Sequence, residues 1–220
     1  MTTPDLLLPD VAVAADLGTL VTRARRVDAD GAVRLLAAGT VLAAFVCVVG
    51  PPGPTVLGLR TMRLAEPAEL DVTVPMAAVA DRCARIDGSA LPGTPVAFPV
   101  PPNRLTVPWA GISPPRQGWE PVGTVGVDLL LGLARDGAAE IAAGSPEGAG
   151  AQAVARLRGL VWGRPLQVGP IEVPAGTAFA AVLLGFVRPG DLDLPVHRSG
   201  RWCRLVAERG YLLARPPATL

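Results

Sequence analysis

The sequence contains no lysine, a single histidine and few aromatic residues, and each scarcity weighs against a class of function. All 20 basic residues are arginine, and Phe, Trp and Tyr together make up 4% of the 220 residues. The formal net charge is +1, so no overall positive field attracts nucleic acid or an anionic membrane. The lack of lysine, together with abundant Ala, Gly and Pro, indicates the codon bias of a high-GC genome.

Histidine and cysteine are too few and too scattered for the common catalytic and metal sites. His197 is the only partner available to a nucleophilic Ser or Cys, and no G-x-S-x-G sequence occurs. There is no P-loop, no G-x-G-x-x-G fingerprint and no C-x-x-C pair. We therefore predict no catalytic residue, no metal site and no cofactor. Cys47, Cys83 and Cys203 are expected to be reduced thiols.

The longest apolar stretch covers residues 35–49, and residues 35–59 contain no charge. A membrane-spanning helix needs about 20 apolar residues, but Gly39 and Thr40 interrupt this stretch and Pro-Pro-Gly-Pro at 51–54 ends it. Its Val and Phe residues favour strand over helix. We predict a buried β-hairpin and no membrane segment. The N-terminus lacks the basic region of a signal peptide, so we expect a cytoplasmic protein.

Residues 70–86 contain the clearest strand-to-helix pattern in the sequence. Apolar and polar residues alternate over 70–74, which is typical of a half-buried strand. Pro75 suits the first turn of a helix because its φ is fixed. The apolar residues that then recur at helical spacing are Met76, Val79, Cys83 and Ile86.

The whole sequence predicts an α+β protein: an antiparallel sheet with flanking helices, then a helical part ending in a small β-meander. We divide it into residues 1–90, a Pro-rich connector at 91–121, and residues 122–220, with the outer parts able to share one core. Helices are predicted near 10–26, 76–86, 125–142, 145–162 and 175–187. Strands are predicted near 32–37, 41–49, 55–65, 70–75, 194–198, 201–207 and 211–215.

The Pro-rich connector contains the first candidate binding site. Nine of the thirty residues from 92 to 121 are proline, against a usual frequency of about 5%, so no helix is expected. Trp109 and Trp119 lie in this segment, with Arg116 between them. Such tryptophans more often pin an ordered loop to the core than bind a partner. Under the second interpretation, these three are the candidate partner-binding residues.

The predicted terminal meander contains five of the twenty arginines, within residues 198–215. Alternate side chains of a strand face opposite ways, so Arg204 should share a face with Trp202 while Cys203 and Leu205 face the core. Arginines gathered on one surface could bind phosphate, whereas scattered ones would be solubilising charges. We expect scatter because the net charge is near zero. The candidate nucleic-acid contacts are Arg198, Arg201, Arg204 and Arg209.

Two resemblances to known families accompany these patterns. The order of elements in residues 11–86, a helix, four strands and a helix, resembles one half-domain of a DNA sliding clamp. No second copy is expected, because the Pro-rich segment and the later helices replace it, so the resemblance implies neither a ring nor residue roles. The segments 114–119, 162–166 and 200–205 resemble parts of uncharacterised actinobacterial proteins with no known activity, which implies only a cytoplasmic, high-GC source.

The sequence favours a non-enzymatic cytoplasmic binding or scaffold protein of unknown specificity, with a protein partner and no membrane association. The alternative is a DNA-associated protein that uses the arginine-rich C-terminal hairpin, in a winged-helix order of three helices and a hairpin. It ranks second because the helix over 175–187 has almost no side chains that could donate to base edges. A small metal-free enzyme ranks third. The oligomeric state is left open.

Overall fold

The computed structural model describes residues 5–51, 53–86, 88–91, 93–145 and 150–216. It divides into two compact units, which we call unit 1 and unit 2. Unit 1 comprises Met1–Cys47 and Leu59–Ile112, and unit 2 comprises Val48–Gly58 and Ser113–Leu220. The predicted α+β class is confirmed, because the chain contains five α-helices in its described part together with strands that pair in antiparallel fashion.

Unit 1 is formed by four strands, two α-helices and a short 3-10 turn in the described part of the chain. Strands β1 and β4 pair in antiparallel fashion, with Leu6 opposite Phe98. The Pro-rich connector contributes β4 and the 3-10 turn but no α-helix among its described residues. The elements are β1 (Asp5–Leu8), α1 (Val11–Ala24), β2 (Ala32–Val49), β3 (Thr55–Pro75), α2 (Met76–Arg85), β4 (Val96–Pro99) and the 3-10 turn Pro108–Gly111.

Helix α1 begins at Val11, inside the predicted range of 10–26, and Asp10 caps it. The Asp10 carboxylate accepts hydrogen bonds from the backbone N–H groups of Ala12, at 2.9 Å, and Val13, at 3.1 Å. Helix α1 packs against α2, and a glycine permits their close approach. A Cβ on Gly18 would lie 3.1 Å from the Cβ of Cys83. The buried face of α1 consists of Ala14, Leu17, Leu20, Val21 and Ala24.

Strands β2 and β3 replace the four shorter strands that the sequence predicts here. The expected break falls inside β2, where Gly39 has a φ of 57°, a conformation that glycine adopts readily. Arg34 ties the segments of unit 1 together. Its Nε and Nη2 each donate to Asp71 at 2.7 Å, and its Nη1 donates to the carbonyl of Ala110 at 3.0 Å. No helix in the described ranges is long and apolar enough to cross a membrane.

Unit 2 contains the later helices and the predicted meander. The three meander strands are confirmed almost to the residue, whereas β5 and the short β6–β7 hairpin are absent from the prediction. The helix predicted near 145–162 begins at Ala151 as α4, and residues 146–149 of the predicted range lie outside the described residues. The elements are β5 (Glu120–Val125), α3 (Val127–Ala143), α4 (Ala151–Gly163), β6 (Pro165–Val168), β7 (Ile171–Pro174), α5 (Gly176–Leu183), β8 (Leu194–Ser199), β9 (Trp202–Ala207) and β10 (Gly210–Arg215).

Strands β10, β9, β8 and β5 pair with one another in antiparallel fashion in this order, within a sheet whose strand order is β2-β3-β10-β9-β8-β5. Residues 48–58 are the part of β2, β3 and their connection that belongs to unit 2. Helix α3 packs against α5, and α4 packs against both. The rings of Trp162 on α4 and Phe179 on α5 stack with centroids 4.6 Å apart and planes 10° from parallel.

Candidate partner-binding surface

Strands β8, β9 and β10 have two chemically different faces, which the strand register defines. Residues directly opposite each other in antiparallel strands share a face. Val196 and Leu205 are opposite each other and fully buried, so their face belongs to the core of unit 2. His197 and Leu213 both lie opposite Arg204 on the other face. We call this other side the Arg204 face; by the same alternation it includes Trp202, Val206, Tyr211 and Arg215.

Guanidinium groups lie over aromatic rings on this face. The Cζ of Arg204 is 4.6 Å from the ring centroid of Trp119 and 5.9 Å from that of Tyr211. The Cζ of Arg215 is 5.7 Å from the ring centroid of Trp202. At such distances the ring quadrupole attracts the cation by about 0.5–1 kcal/mol at exposed sites, and by more where water is excluded. These five residues are the Arg–aromatic cluster.

The end of the Pro-rich segment holds Trp119 in place beside the sheet. The Trp119 Nε1–H donates to the carbonyl of Pro115 at 3.1 Å, which closes a tight turn. Gly118 supports this turn with a φ of 74°, in the region that favours glycine. The Ser199 hydroxyl at the end of β8 donates to the carbonyl of Gln117 at 3.4 Å. Trp119 thus pins an ordered loop while its half-buried ring contributes to the cluster.

Two other arginines of the meander are neutralised by carboxylates of unit 2. Arg198 is opposite Glu120 in the register, with 3.8 Å between their charged atoms. Arg209 donates to both carboxylate oxygens of Asp191, at 2.7 and 3.3 Å. Hydrogen bonds from Arg209 and from the Arg188 backbone N–H hold the pKa of Asp191 below its usual range. Arg209 is therefore held closely by Asp191, whereas Arg198 and Glu120 form a looser, exposed ion pair.

Arg204 and Arg215 differ from these, because neither forms an ion pair among the described residues. The Nε atom of each is buried and lacks a hydrogen-bond acceptor within the described part. His197, opposite Arg204, likewise has a buried Nδ1 without a partner there. Burial lowers the pKa of His197, and the positive charge of Arg204 lowers it further. The Arg204 face is therefore cationic and incompletely hydrogen-bonded.

The structure distributes the sequence-predicted site residues unevenly. Trp119 and Arg204, which the sequence assigns to different partners, are in direct contact. Trp109 lies half-buried in the 3-10 turn of unit 1, and Arg116 is exposed on the loop that leads to Trp119. Arg201 lies in the turn between β8 and β9. Tyr211, Arg215 and His197 are not among the site residues predicted from the sequence, although the alternation of side chains within each strand was the available signal.

Two grooves lie in the described part of unit 1. A groove of about 470 Å³ is lined by Arg82, Arg85 and Ile86 of the α2 region and by Val96 and Pro99 of β4. A second groove of about 440 Å³ lies between α1 and α2 and has mainly small side chains with two arginines. Within the described ranges, no three His, Cys, Asp or Glu side chains are close enough to hold a metal ion.

Comparison with known proteins relates the chain to two domain families and one fold. Residues 1–101 match a domain of unknown function, DUF8010, and residues 114–219 match another, DUF8185. No curated protein matches the chain. A putative DNA polymerase III beta subunit from Eubacterium rectale superposes with a TM-score of 0.56 and 8% identity, covering 98% of this chain and 65% of that one.

Other solved structures agree with this relationship. The DNA polymerase sliding clamp of Caulobacter crescentus gives a TM-score of 0.52 at 13% identity, covering 99% of this chain and 66% of that one. The DNA polymerase III subunit beta of Pseudomonas aeruginosa gives 0.52 at 10% identity, covering 99% and 65%. The chain thus has the sliding-clamp fold. It spans about two thirds of the length of these structures.

The similarity corrects the extent of the clamp resemblance that the sequence suggests. The sequence limits it to residues 11–86 and expects no second copy, whereas the structural match covers nearly the whole chain, including unit 2. Each unit contains a pair of packed helices, α1 with α2 and α3 with α5. The resemblance to actinobacterial proteins stays a prediction.

Proposed function

We propose that this chain is a non-enzymatic scaffold of the sliding-clamp fold that binds a protein partner. The observation that supports it most is the similarity of fold over 98–99% of the chain to solved sliding clamps and DNA polymerase beta subunits. The proposal includes a cytoplasmic location, which three cysteines without a disulfide support.

The Arg–aromatic cluster of unit 2 is the surface best suited to this role. Tyrosine, tryptophan and arginine are the residues most enriched where protein interfaces gain their energy. Here all three types lie together on one face of a sheet, and the strands beneath have a fully packed core on the opposite side. A rigid sheet of this kind orients a binding surface with little loss of entropy.

DNA association is the second candidate, favoured by the names of the structural neighbours. Two features place it second. Arg198 and Arg209 of the hairpin are already neutralised by carboxylates. Helix α3 exposes Asp128, Asp136 and Glu140, of which the last two are paired with Arg135 and Arg164, so its surface has no excess of positive charge to attract phosphate.

Selection from a displayed random-peptide library on the immobilised protein tests the scaffold proposal. We expect enriched sequences that bind the purified chain saturably, at one site and with micromolar Kd, when measured by isothermal titration calorimetry. A heat-denatured sample of the same protein serves as the control surface. The proposal fails if no sequence is enriched on the folded protein relative to that control.

Fluorescence anisotropy with mixed-sequence duplex DNA tests the second candidate at about 50 and 200 mM salt. We expect weak binding that is the same for wild type, for Arg201→Ala with Arg204→Ala, and for the control Arg156→Ala with Arg158→Ala on α4. Tight, salt-sensitive binding that only the first pair abolishes would favour DNA association over the scaffold.

A further inference from the structure

Arg204 and Arg215 are diagonal neighbours on the Arg204 face. Leu213 lies opposite Arg204 in the β9–β10 register, and Arg215 follows two residues later on the same side of β10. Diagonal neighbours across an antiparallel pair are about 7–8 Å apart. The backbones of the two arginines are therefore at this spacing, with both residues on the same side of two neighbouring strands.

Neither Arg204 nor Arg215 has an anionic partner in the described part of the chain. Both arginines are half-buried, and their Nε atoms are removed from water without an acceptor in the described part of the chain. A polar group that loses water without gaining a hydrogen bond destabilises the structure. The neighbouring arginines Arg198 and Arg209, by contrast, each have a carboxylate. The Nε atoms themselves are out of reach of a ligand, but neither guanidinium has an ion pair in the described part of the chain, so both positive charges are available to an anionic ligand.

The arrangement of the aromatic rings favours a carboxylate ligand over a single-stranded nucleic acid. Single-stranded nucleic acids bind by stacking bases on aromatic faces beside a cationic groove. Here the guanidinium groups lie over the faces of Trp119, Tyr211 and Trp202 themselves. A stacked guanidinium keeps its N–H edge available for a carboxylate, and planar carboxylates match that edge well. The geometry therefore favours carboxylates over bases.

We propose that the Arg204 face binds an extended acidic segment of a partner protein, with carboxylates at alternate positions paired to Arg204 and Arg215. Alternate residues of an extended chain are about 6.6–6.8 Å apart, close to the separation of diagonal neighbours. The intervening side chains of the segment face away, and the exposed parts of Val206 and Tyr211 border the site. This proposal rests on the scaffold function and names the partner chemistry for the same surface.

The test uses the full chain and two short labelled peptides in fluorescence anisotropy. One peptide alternates Glu and Thr, and the other has Gln for every Glu. We expect the Glu peptide to bind wild type at least about tenfold more tightly than the Gln peptide does. The double substitution Arg204→Gln with Arg215→Gln should weaken binding of the Glu peptide by about tenfold or more. The control substitutions Arg156→Gln with Arg158→Gln should change the affinity for that peptide by less than about twofold.

Circular dichroism checks that each variant folds. If the double variant does not fold, the comparison of the Glu peptide with the Gln peptide on the wild-type protein still decides the test. Equal binding of the two peptides, or equal binding of the Glu peptide to both double variants, overturns the inference. Displacement of the Glu peptide by an equal concentration of single-stranded DNA overturns it too and assigns the face to nucleic acid. The scaffold proposal survives any of these results if the peptide library still yields binders.

Discussion

Position 137 must be glycine because the ring of Trp162 occupies the space that a larger side chain would need. A Cβ on Gly137 would lie 2.4 Å from a ring atom of Trp162, well inside van der Waals contact. Trp162 is itself buried and stacked on Phe179, so its ring has no free space into which to move. This packing requirement outweighs the poor helix propensity of a glycine within α3.

We expect Gly137→Ala to reduce the free energy of unfolding by about 1–3 kcal/mol, because overpacking forces the ring or the helix to shift. Gly132→Ala in the same helix is the matched control, since a Cβ there would meet the flexible Arg135 side chain, with Nη2 at 3.8 Å. The control should be neutral or stabilising by up to about 1 kcal/mol through helix propensity. Urea unfolding measures both changes, and equal destabilisation by the two would contradict the packing argument.

The thiols of the chain should react slowly. Burial raises the pKa of Cys47 to about 12 and that of Cys203 to about 11. Burial likewise raises the pKa of Cys83 to about 11. The thiolate is the reactive form, so native protein at neutral pH should label far more slowly than denatured protein in a thiol titration. Rapid labelling of all three thiols without denaturant would show that the thiols are accessible to solvent, in contradiction to this prediction.

At the scale of elements, the helices and strands that the sequence predicts correctly are those with a clear periodic pattern of apolar residues and a recognisable start or end. Helix α1 has a capping Asp10 and a periodic apolar face, and the β8–β10 meander has alternation bounded by glycine turns. Strand β5 shows no such alternation, because its register with β8 is interrupted by a bulge between Pro121 and Gly123. Strands β6 and β7 have four residues each, too few to establish a period.

Substitution of Asp10 tests how much the N-terminal cap stabilises helix α1. We expect Asp10→Ala to destabilise the protein by about 1 kcal/mol, because the N–H groups of Ala12 and Val13 lose their acceptor. Asp30→Ala, at an exposed position in the following turn, is the matched control and should change stability by less than about 0.5 kcal/mol. Thermal unfolding compares the two; an equal shift in Tm would mean that the cap contributes nothing specific.

At the scale of the whole chain, sequence patterns fall short because the site depends on tertiary pairing. Trp119 and Arg204 are far apart in sequence, and only the position of the loop beside β8 and β9 brings them together. The arginines look alike in the sequence, yet carboxylates from distant segments neutralise Arg198 and Arg209 and leave Arg204 without an ion pair in the described chain. The clamp fold beyond residue 86 is not evident from the sequence, because the strands of the Pro-rich segment, β4 and the start of β5, are too short to show a period.

Hydrogen–deuterium exchange with a library-selected peptide tests most directly whether this clamp-fold chain is a scaffold that binds its partner through the Arg204 face. Backbone amides exchange more slowly where a ligand stabilises the strands that it covers. We predict slower exchange in residues 113–119 and in β9 and β10, with no change in α1 and α2. Slower exchange confined to α1 and α2, or produced by DNA and not by the peptide, would contradict the account.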